Sequence, residues 1–277
     1  MSLKLRRNAI AQIAALLKAE KDSSPSALMG IGDFYIELCL LEEHMKIVEP
    51  YGKMLSPLMG NANTMITGRE VFTLSDGKAM LRRIEYCARV SHASEDKMTD
   101  ESYDRFLRSV VLQHGDWSVV EHEKVTCEFL VDRGITHEIV RHRLASYTQE
   151  STRFVNYKKA GGEAKFIEPI WDDHHNSPTW REAVQLTENA YMKMVAAGVK
   201  PQIARSVFPN ALASKLVMTM NLRAWRHFFV MRTSAQAHPQ MRQVTEPLLA
   251  EFQRCIPILY EDITPGGQQA DMMRLAR

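Results

Sequence analysis

The chain has 277 residues, of which 45% are hydrophobic and 25% are charged, the composition of an ordinary globular protein. A formal net charge of +2 provides no overall field that would attract an acidic partner. No apolar run reaches the ~20 residues that a membrane-spanning helix needs, and the basic start lacks the apolar centre of a signal peptide. We therefore expect a cytoplasmic protein that has no contact with a membrane.

The first part of the chain differs from the rest. Residues 1–44 predict one amphipathic helix over 5–21, a Ser-Ser-Pro-Ser break and a short apolar stretch over 34–41. A helix of that length is marginally stable alone and needs a partner surface. The sequence thus predicts an N-terminal extension of unknown role, residues 1–44, followed by one larger domain, residues 45–277.

The sequence of the larger domain predicts a mixture of helices and strands without a regular β-α repeat. In order, we predict a strand at 45–50, a helix at 78–88 entered through Asp76-Gly77, and a helix from 99 or 100 to about 113 that Gly115 ends. Apolar residues alternate over 124–131, which predicts a half-buried strand. A short helix over 135–143 and a polar loop over 144–152 follow. The class is α+β.

The C-terminal half contains stronger boundary signals. Ser177-Pro178 opens a long helix that Gly198 closes, with Ser as the capping residue. One or two helical turns over 203–208, a strand over 215–220 and a helix from Asn221 to about 233 come next. Pro239 opens the last helix, which ends near 255.

Several classes of site lack their motifs. Cys39, Cys87, Cys127 and Cys255 form no closely spaced pair, so neither a disulfide framework nor a zinc site is expected. His174-His175 lies in a polar segment, and we interpret it as a solvated loop rather than a metal clip. The chain has no GxGxxG after a strand and no GxxxxGK[ST], so any nucleotide is bound by side chains.

Positive charge is concentrated in two places. No Asp or Glu occurs over 189–245, a window that contains eight Lys and Arg residues. Arg141-His142-Arg143 is followed, after seven intervening residues, by Ser151 and then Arg153. Guanidinium groups match phosphate geometry, and the intervening hydroxyls and amide suit a nucleotide. The simpler alternatives are solvated helix faces and a basic helix end stabilised by the helix dipole.

The complete string RHRLASYTQESTRF resembles the RHR-x7-S signature of flavin-dependent thymidylate synthases. Further blocks match the family in order: ARVSHAS at 88–94, HGDWSVVEH at 114–122, Ala204-Arg205 with Pro209, and Asn221-Leu222-Arg223 with His227 and Arg232. The resemblance covers residues 45–256. It implies a twisted antiparallel sheet flanked by helices, and a homotetramer with its sites at subunit interfaces.

The resemblance also implies the reaction, which is the FAD-dependent methylation of dUMP to dTMP. 5,10-Methylenetetrahydrofolate would donate the one-carbon unit and NADPH would be the reductant. The residues that the resemblance assigns to FAD are Ser118, Glu121, Arg141, His142, Arg143, Gln149, Asn221, Arg223 and His227. Those that it assigns to dUMP are Glu138, Arg141, Gln149, Ser151, Thr152, Arg153, Arg205 and Arg232. Arg232 would face the uracil and act in catalysis by favouring ionisation at N3.

The chain departs from the family pattern at three positions. Asp116 replaces the second His of the HGHxSxxEH block, His227 stands where Asn is common, and Gln149 stands where some members have Glu. Asp116 keeps open a related flavoenzyme that makes another 5-substituted pyrimidine nucleotide, such as hydroxymethyl-dUMP. The acid-free window keeps open a nucleic-acid-binding module, although aromatic residues are sparse beside its arginines. No nucleic acid and no metal are expected.

Overall fold

The computed structural model describes residues 45–55, 74–155, 157, 164–172 and 174–267. The predicted extension 1–44, with its helix over 5–21, lies outside these residues, so the domain boundary stays a prediction. The strands are β1 (Lys46–Ile47), β2 (Tyr51–Leu55), β3 (Lys124–Asp132), β4 (Ser146–Gln149), β5 (Lys165–Phe166) and β6 (Ala213–Asn221). The α-helices are α1 (Leu74–Val90), α2 (Ser102–Leu107), α3 (Arg133–Ile139), α4 (Ser177–Ala196), α5 (Pro201–Ala204), α6 (Leu222–Arg232) and α7 (Pro239–Cys255).

A four-stranded antiparallel sheet in the order β2-β3-β6-β4 forms the centre of the fold. Its two middle strands pair along their full length, from Lys124 opposite Asn221 to Asp132 opposite Ala213. Every second side chain of β3 is fully buried, because alternate residues of a strand point to one face. A separate two-stranded parallel sheet joins β1 to β5.

Aromatic side chains from α6 and α7 cover the apolar face of this sheet. Trp225, Phe228 and Phe229 of α6 are buried and lie against Phe129 of β3 and Phe252 of α7. Each such side chain contributes on the order of 2–3 kcal/mol on burial. The core therefore fixes α6 on the sheet, and α6 presents its two ends to the candidate site.

Helix α1 crosses the end of α7 at a contact that only glycine permits. A Cβ atom on Gly77 would lie 1.6 Å from the carbonyl oxygen of Cys255. The sequence predicts Asp76-Gly77 as the turn before a helix. Instead the helix begins at Leu74 and Gly77 is its close-contact residue.

The α+β class with an antiparallel sheet flanked by helices is confirmed. The predicted strands in the middle of the sheet, the capping of α6 by Asn221 and the Pro239 start of α7 are also confirmed. The start of α4 is one residue off, because Asn176 rather than Ser177 occupies the cap position. Among the described helices, none is long and apolar enough to cross a bilayer.

Two expectations near the basic motif are wrong. Residues 144–152 are not all loop, since β4 pairs with β6 from Ser146 opposite Thr219 to Gln149 opposite Leu216. This edge strand is polar and only half-buried, so it has no apolar alternation. The preceding helix begins at Arg133 rather than at 135, because Asp132 caps it there, and it ends at Ile139 rather than at 143. The Arg141-His142-Arg143 motif therefore lies in the turn after α3.

The first strand was also misplaced. Of the predicted strand at 45–50, only Lys46–Ile47 is a strand, β1. The next strand, β2, begins at Tyr51, just beyond the predicted range. Gly52 lies within β2, where its ideal Cβ would be 3.0 Å from the ring of Phe129. A glycine there lowers strand propensity while it fits beside the core, which explains why the pattern gave no strand signal.

Candidate active site

The turn that carries Arg141, His142 and Arg143 is anchored to the edge of the sheet. It follows α3, and the chain then enters β4. From β4, the hydroxyl of Tyr147 donates to the carbonyl oxygens of Ile139, at 3.0 Å, and His142. This anchor fixes the turn while the side chains of Arg141 and Arg143 remain exposed to solvent.

Arg232, the last residue of α6, reaches this turn with three hydrogen bonds. Its Nε donates to His142 Nε2 at 2.9 Å, and its Nη1 donates to Glu138 Oε2 at 2.8 Å. Its Nη2 donates to the carbonyl oxygen of Glu138 at 3.0 Å. These bonds use three of the five N–H donors of a guanidinium, so each terminal nitrogen keeps one N–H for a ligand.

His142 is a neutral acceptor at physiological pH. Burial, together with the positive charges of Arg232 and His227, lowers its pKa from the ordinary 6.5 to about 4. Since Nε2 accepts from Arg232, the ring proton is on Nδ1. The rings of His142 and His227 lie 6.0 Å apart between centroids. His142 therefore contacts two residues of α6, Arg232 and His227.

A second group of predicted residues lies between β4 and α5. Arg205 Nη1 donates to Thr152 Oγ1 at 2.8 Å, and Arg153 Nε donates to Gln202 Oε1 at 3.4 Å. The backbone N–H of Arg153 donates to Ser151 Oγ at 3.3 Å. In the part of the chain that the structure describes, neither arginine forms an ion pair with a carboxylate. Two guanidinium groups beside two hydroxyls form a site suited to an anion.

A third group lies at the start of α6. Arg223 forms an ion pair with Glu121 at 2.7 Å, and about half of each side chain is exposed. Asn221 Oδ1 accepts from the backbone N–H of Ala224 at 2.8 Å, so this side chain serves as the cap of α6. Ser118 is exposed on the same 3-10 helix as Glu121, Trp117–His122, and Asp116 is the exposed residue before it.

The side chain of Gln149, at the end of the edge strand β4, bonds to two buried hydroxyl groups. Its Nε2 donates to Thr136 Oγ1 at 3.0 Å and to Ser214 Oγ at 3.1 Å. Thr136, Ser214, Tyr147 and Gln202 were not predicted as residues of the site, yet each contacts a residue that was. Thr136, Ser214 and Gln202 bond to partners at least 13 residues away, and Tyr147 lies in a strand that the sequence predicts as a loop, so no local pattern identifies them.

Twelve of the fifteen predicted site residues thus form three groups within one chain, while Arg141 and Arg143 lie in the turn after α3 and Gln149 lies in β4. The first contains Glu138, His142, His227 and Arg232, the second Ser151, Thr152, Arg153 and Arg205, and the third Ser118, Glu121, Asn221 and Arg223. Across the described residues, no group of three His, Cys, Asp or Glu side chains could hold a metal ion.

Comparison with known proteins identifies the family. A sequence model described as thymidylate synthase complementing protein matches residues 74–258. The flavin-dependent thymidylate synthase of Pyrococcus abyssi is 33% identical over 184 residues, which cover 62% of this chain and 74% of that protein. The enzyme of the same description from Geobacter sulfurreducens is 30% identical over 214 residues, which cover 70% and 92%.

Solved structures share the fold. A UMP/dUMP methylase, PolB from Streptomyces cacaoi bound with 5-Br dUMP, has a TM-score of 0.61 at 21% identity, covering 78% of this chain and 96% of that chain. The flavin-dependent thymidylate synthase ThyX from Helicobacter pylori, complexed with FAD and dUMP, has a TM-score of 0.55 at 20% identity, covering 66% and 94%. The sequence matches and the shared fold define an enzyme. The chain belongs to the flavin-dependent thymidylate synthase family.

Proposed function

We propose that this chain methylates dUMP to dTMP in nucleotide biosynthesis, with FAD as cofactor, 5,10-methylenetetrahydrofolate as one-carbon donor and NADPH as reductant. The observation that carries the proposal is Arg232, which Glu138 and His142 orient with one N–H of each terminal nitrogen left for a ligand. Membership of the family supports the reaction, and the Helicobacter pylori relative complexed with FAD and dUMP supports the ligands.

In this proposal, different arginine residues bind different parts of dUMP. Arg153 and Arg205, which have no carboxylate partner among the described residues, bind the phosphate together with the hydroxyls of Ser151 and Thr152. Arg232 faces the uracil and stabilises the anion formed when N3 loses its proton. The charge then increases at C5, the atom that receives the one-carbon unit. Glu138 holds the guanidinium in place, and its own partial exposure leaves it accessible to substrate.

The residues proposed to hold FAD fit a large anion. Arg141 and Arg143 are exposed guanidinium groups in a fixed turn, and the neutral ring of His142 lies beside them. Gln149, Ser118, Glu121, Asn221, Arg223 and His227 complete the set that the resemblance implies. Bound FAD, once reduced by NADPH, would supply the hydride that reduces the transferred carbon to a methyl group. Burial raises the pKa of the Cys127 thiol well above its ordinary value, which makes it a poor nucleophile.

We further propose that the enzyme is a cytoplasmic homotetramer whose sites lie at subunit interfaces. Large apolar side chains are exposed beside the site arginines, with Leu144 at 89% and Phe154 at 78% of full exposure. Ile203, near Arg205, is also exposed. Exposed apolar groups around a polar site are typical of a surface that another subunit covers. This arrangement would bring the three groups of one chain next to those of its neighbours.

A second candidate product is another 5-substituted pyrimidine nucleotide, such as hydroxymethyl-dUMP. Asp116 favours it, because a carboxylate replaces the family His next to the segment of Ser118 and Glu121. The nucleic-acid-binding alternative is weakened by the contacts of its arginines. Arg223 and Arg226 pair with Glu121 and Asp262, so the acid-free window does not present these charges as an unpaired basic face.

The visible spectrum of the purified protein tests the cofactor assignment. We expect the oxidised-flavin spectrum in the wild type, and its loss in Arg143→Ala. Arg105→Ala, which removes an exposed arginine of α2, should keep the flavin. A colourless wild type that also fails to bind added FAD would contradict the proposal. Mass spectrometry of the nucleotide product separates dTMP from hydroxymethyl-dUMP.

A further inference from the structure

A buried hydrogen-bonded bridge connects the start of α7 to the start of α3. The side chain of Gln240 is 2% exposed and forms two bonds with Asp132. Its Oε1 accepts from the backbone N–H of Asp132 at 3.1 Å, and its Nε2 donates to Asp132 Oδ2 at 2.8 Å. The other carboxylate oxygen of Asp132 accepts from the N–H of Ile135 at 2.7 Å and caps α3. Both oxygens of this carboxylate therefore have neutral donors.

The two helices that this bridge joins reach the two halves of the Glu138–Arg232 pair, α3 by containing Glu138 and α7 by a contact with Arg232. Glu138 lies at the end of α3, the short helix that Asp132 caps. Arg232 ends α6, and its carbonyl oxygen accepts a hydrogen bond at 3.0 Å from Thr245 of α7. Thr245 is fully buried. Helix α7 thus contacts Arg232 directly and contacts the base of α3 through Gln240.

We propose that Gln240 is a positioning residue for the reaction, acting through Asp132 to set Glu138 and hence the guanidinium of Arg232. This inference rests on the proposed function, in which Arg232 faces the uracil. Because α3 has only seven residues, a shift at its capped start is passed on to Glu138, which is next to its last residue. Small displacements of an aligned charged group lower turnover by about tenfold to a hundredfold.

The neutral amide of Gln240 makes a sharp test available. Gln240→Glu has nearly the same shape but directs a carboxylate at Asp132, where like charges repel. Asp132→Asn added to Gln240→Glu restores every bond of the bridge. The Asn oxygen still accepts from Ile135, the Asn N–H2 donates to the new carboxylate, and that carboxylate accepts from the N–H of residue 132.

Steady-state turnover with saturating dUMP, bound FAD and melting temperature are measured for both variants. We expect Gln240→Glu to lower kcat at least tenfold per bound FAD, and the double variant to recover it to within about threefold. Gln253→Glu is the matched control, since Gln253 lies on the same helix and donates to the carbonyls of Tyr260 and Ile263 at 3.1 and 2.9 Å. It should lower the melting temperature and leave kcat per bound FAD near that of the wild type.

Crystal structures of the two variants report positioning without relying on turnover. The Arg232 Nη1–Glu138 Oε2 distance, 2.8 Å in the wild type, should lengthen in Gln240→Glu and return in the double variant. If Gln240→Glu does not fold, recovery of folding, distance and kcat in the double variant supports the proposal. An unchanged kcat or distance in Gln240→Glu, an equal loss of kcat in Gln253→Glu, or a folded double variant without recovery overturns it. A wild type that makes no dTMP contradicts the proposed function alone, because the distances still decide the role of Gln240.

Discussion

Replacing Arg232 by Ala separates a catalytic role from a structural one. In the folded chain the change removes one ion pair with a carboxylate that is 39% exposed and two further hydrogen bonds, to a neutral imidazole and to the carbonyl oxygen of Glu138. Pairs of this exposure contribute up to about 1 kcal/mol, and each hydrogen bond contributes about 1 kcal/mol. The free energy of unfolding should therefore fall by about 2–3 kcal/mol, which lowers the melting temperature by several degrees.

Turnover should fall in addition to this loss of stability. A charged hydrogen bond made to the anion that develops in the transition state is worth about 2–4 kcal/mol, or about 10²–10³ in rate. Arg232→Lys should fall between Ala and the wild type, because an ammonium retains the charge but lacks the planar fork that contacts both Glu138 and the ligand.

The assay measures dTMP formation, bound FAD and melting temperature on the same preparations. Arg108→Ala is the control, because Arg108 also pairs with a 39% exposed carboxylate, Glu261, outside the candidate site. Both Ala variants should lose a similar amount of stability, while only Arg232→Ala loses turnover beyond its loss of FAD. Near wild-type turnover in Arg232→Ala, with a lower melting temperature, would refute the catalytic role and leave Arg232 as a helix-end cation.

Three further predictions concern His142, the N-terminus and the cysteines. The pKa of His142 is lower in the folded chain, about 4, than the ordinary 6.5, so its contribution to stability is lost as pH falls through that range. His142→Gln should flatten the pH dependence of unfolding between those values by about 2 kcal/mol, and an unchanged pH profile would contradict the shift. Deleting residues 1–44 should leave turnover largely intact; a folded, FAD-loaded truncation that makes no dTMP would place the extension in the site. Single Cys→Ser changes at Cys39, Cys87, Cys127 and Cys255 should retain dTMP formation, and an inactive but FAD-loaded variant would indicate a thiol mechanism.

The elements with apolar periodicity or strong caps could be predicted from the sequence. The alternation in β3 requires only that one face of the strand be buried, and Asn221 caps α6 through a bond three residues away. These are local causes, so a single sequence records them. β4 could not be predicted in the same way, because it is a polar edge strand whose identity depends on pairing with β6, a segment distant in sequence.

The candidate site, too, could be predicted only in part. The resemblance selected Glu138, His142, His227 and Arg232 as separate matches, and the structure brings these four side chains into one group. No pattern indicated that His142 contacts both Arg232, the arginine proposed for substrate, and His227 of α6. That contact depends on where α3 ends: the helix stops at Ile139 rather than at 143, so His142 lies in the turn that follows it.

The central claim is that this chain converts dUMP to dTMP through bound FAD, with Arg232 at the uracil. The most direct measurement is mass spectrometry of the nucleotide formed from dUMP, 5,10-methylenetetrahydrofolate and NADPH by the FAD-loaded protein, compared with the same protein stripped of FAD. The account predicts dTMP from the loaded protein, none from the stripped protein, and recovery when FAD is returned. Formation of dTMP at equal rates without FAD, or no 5-methylated product from a fully loaded protein, would contradict it.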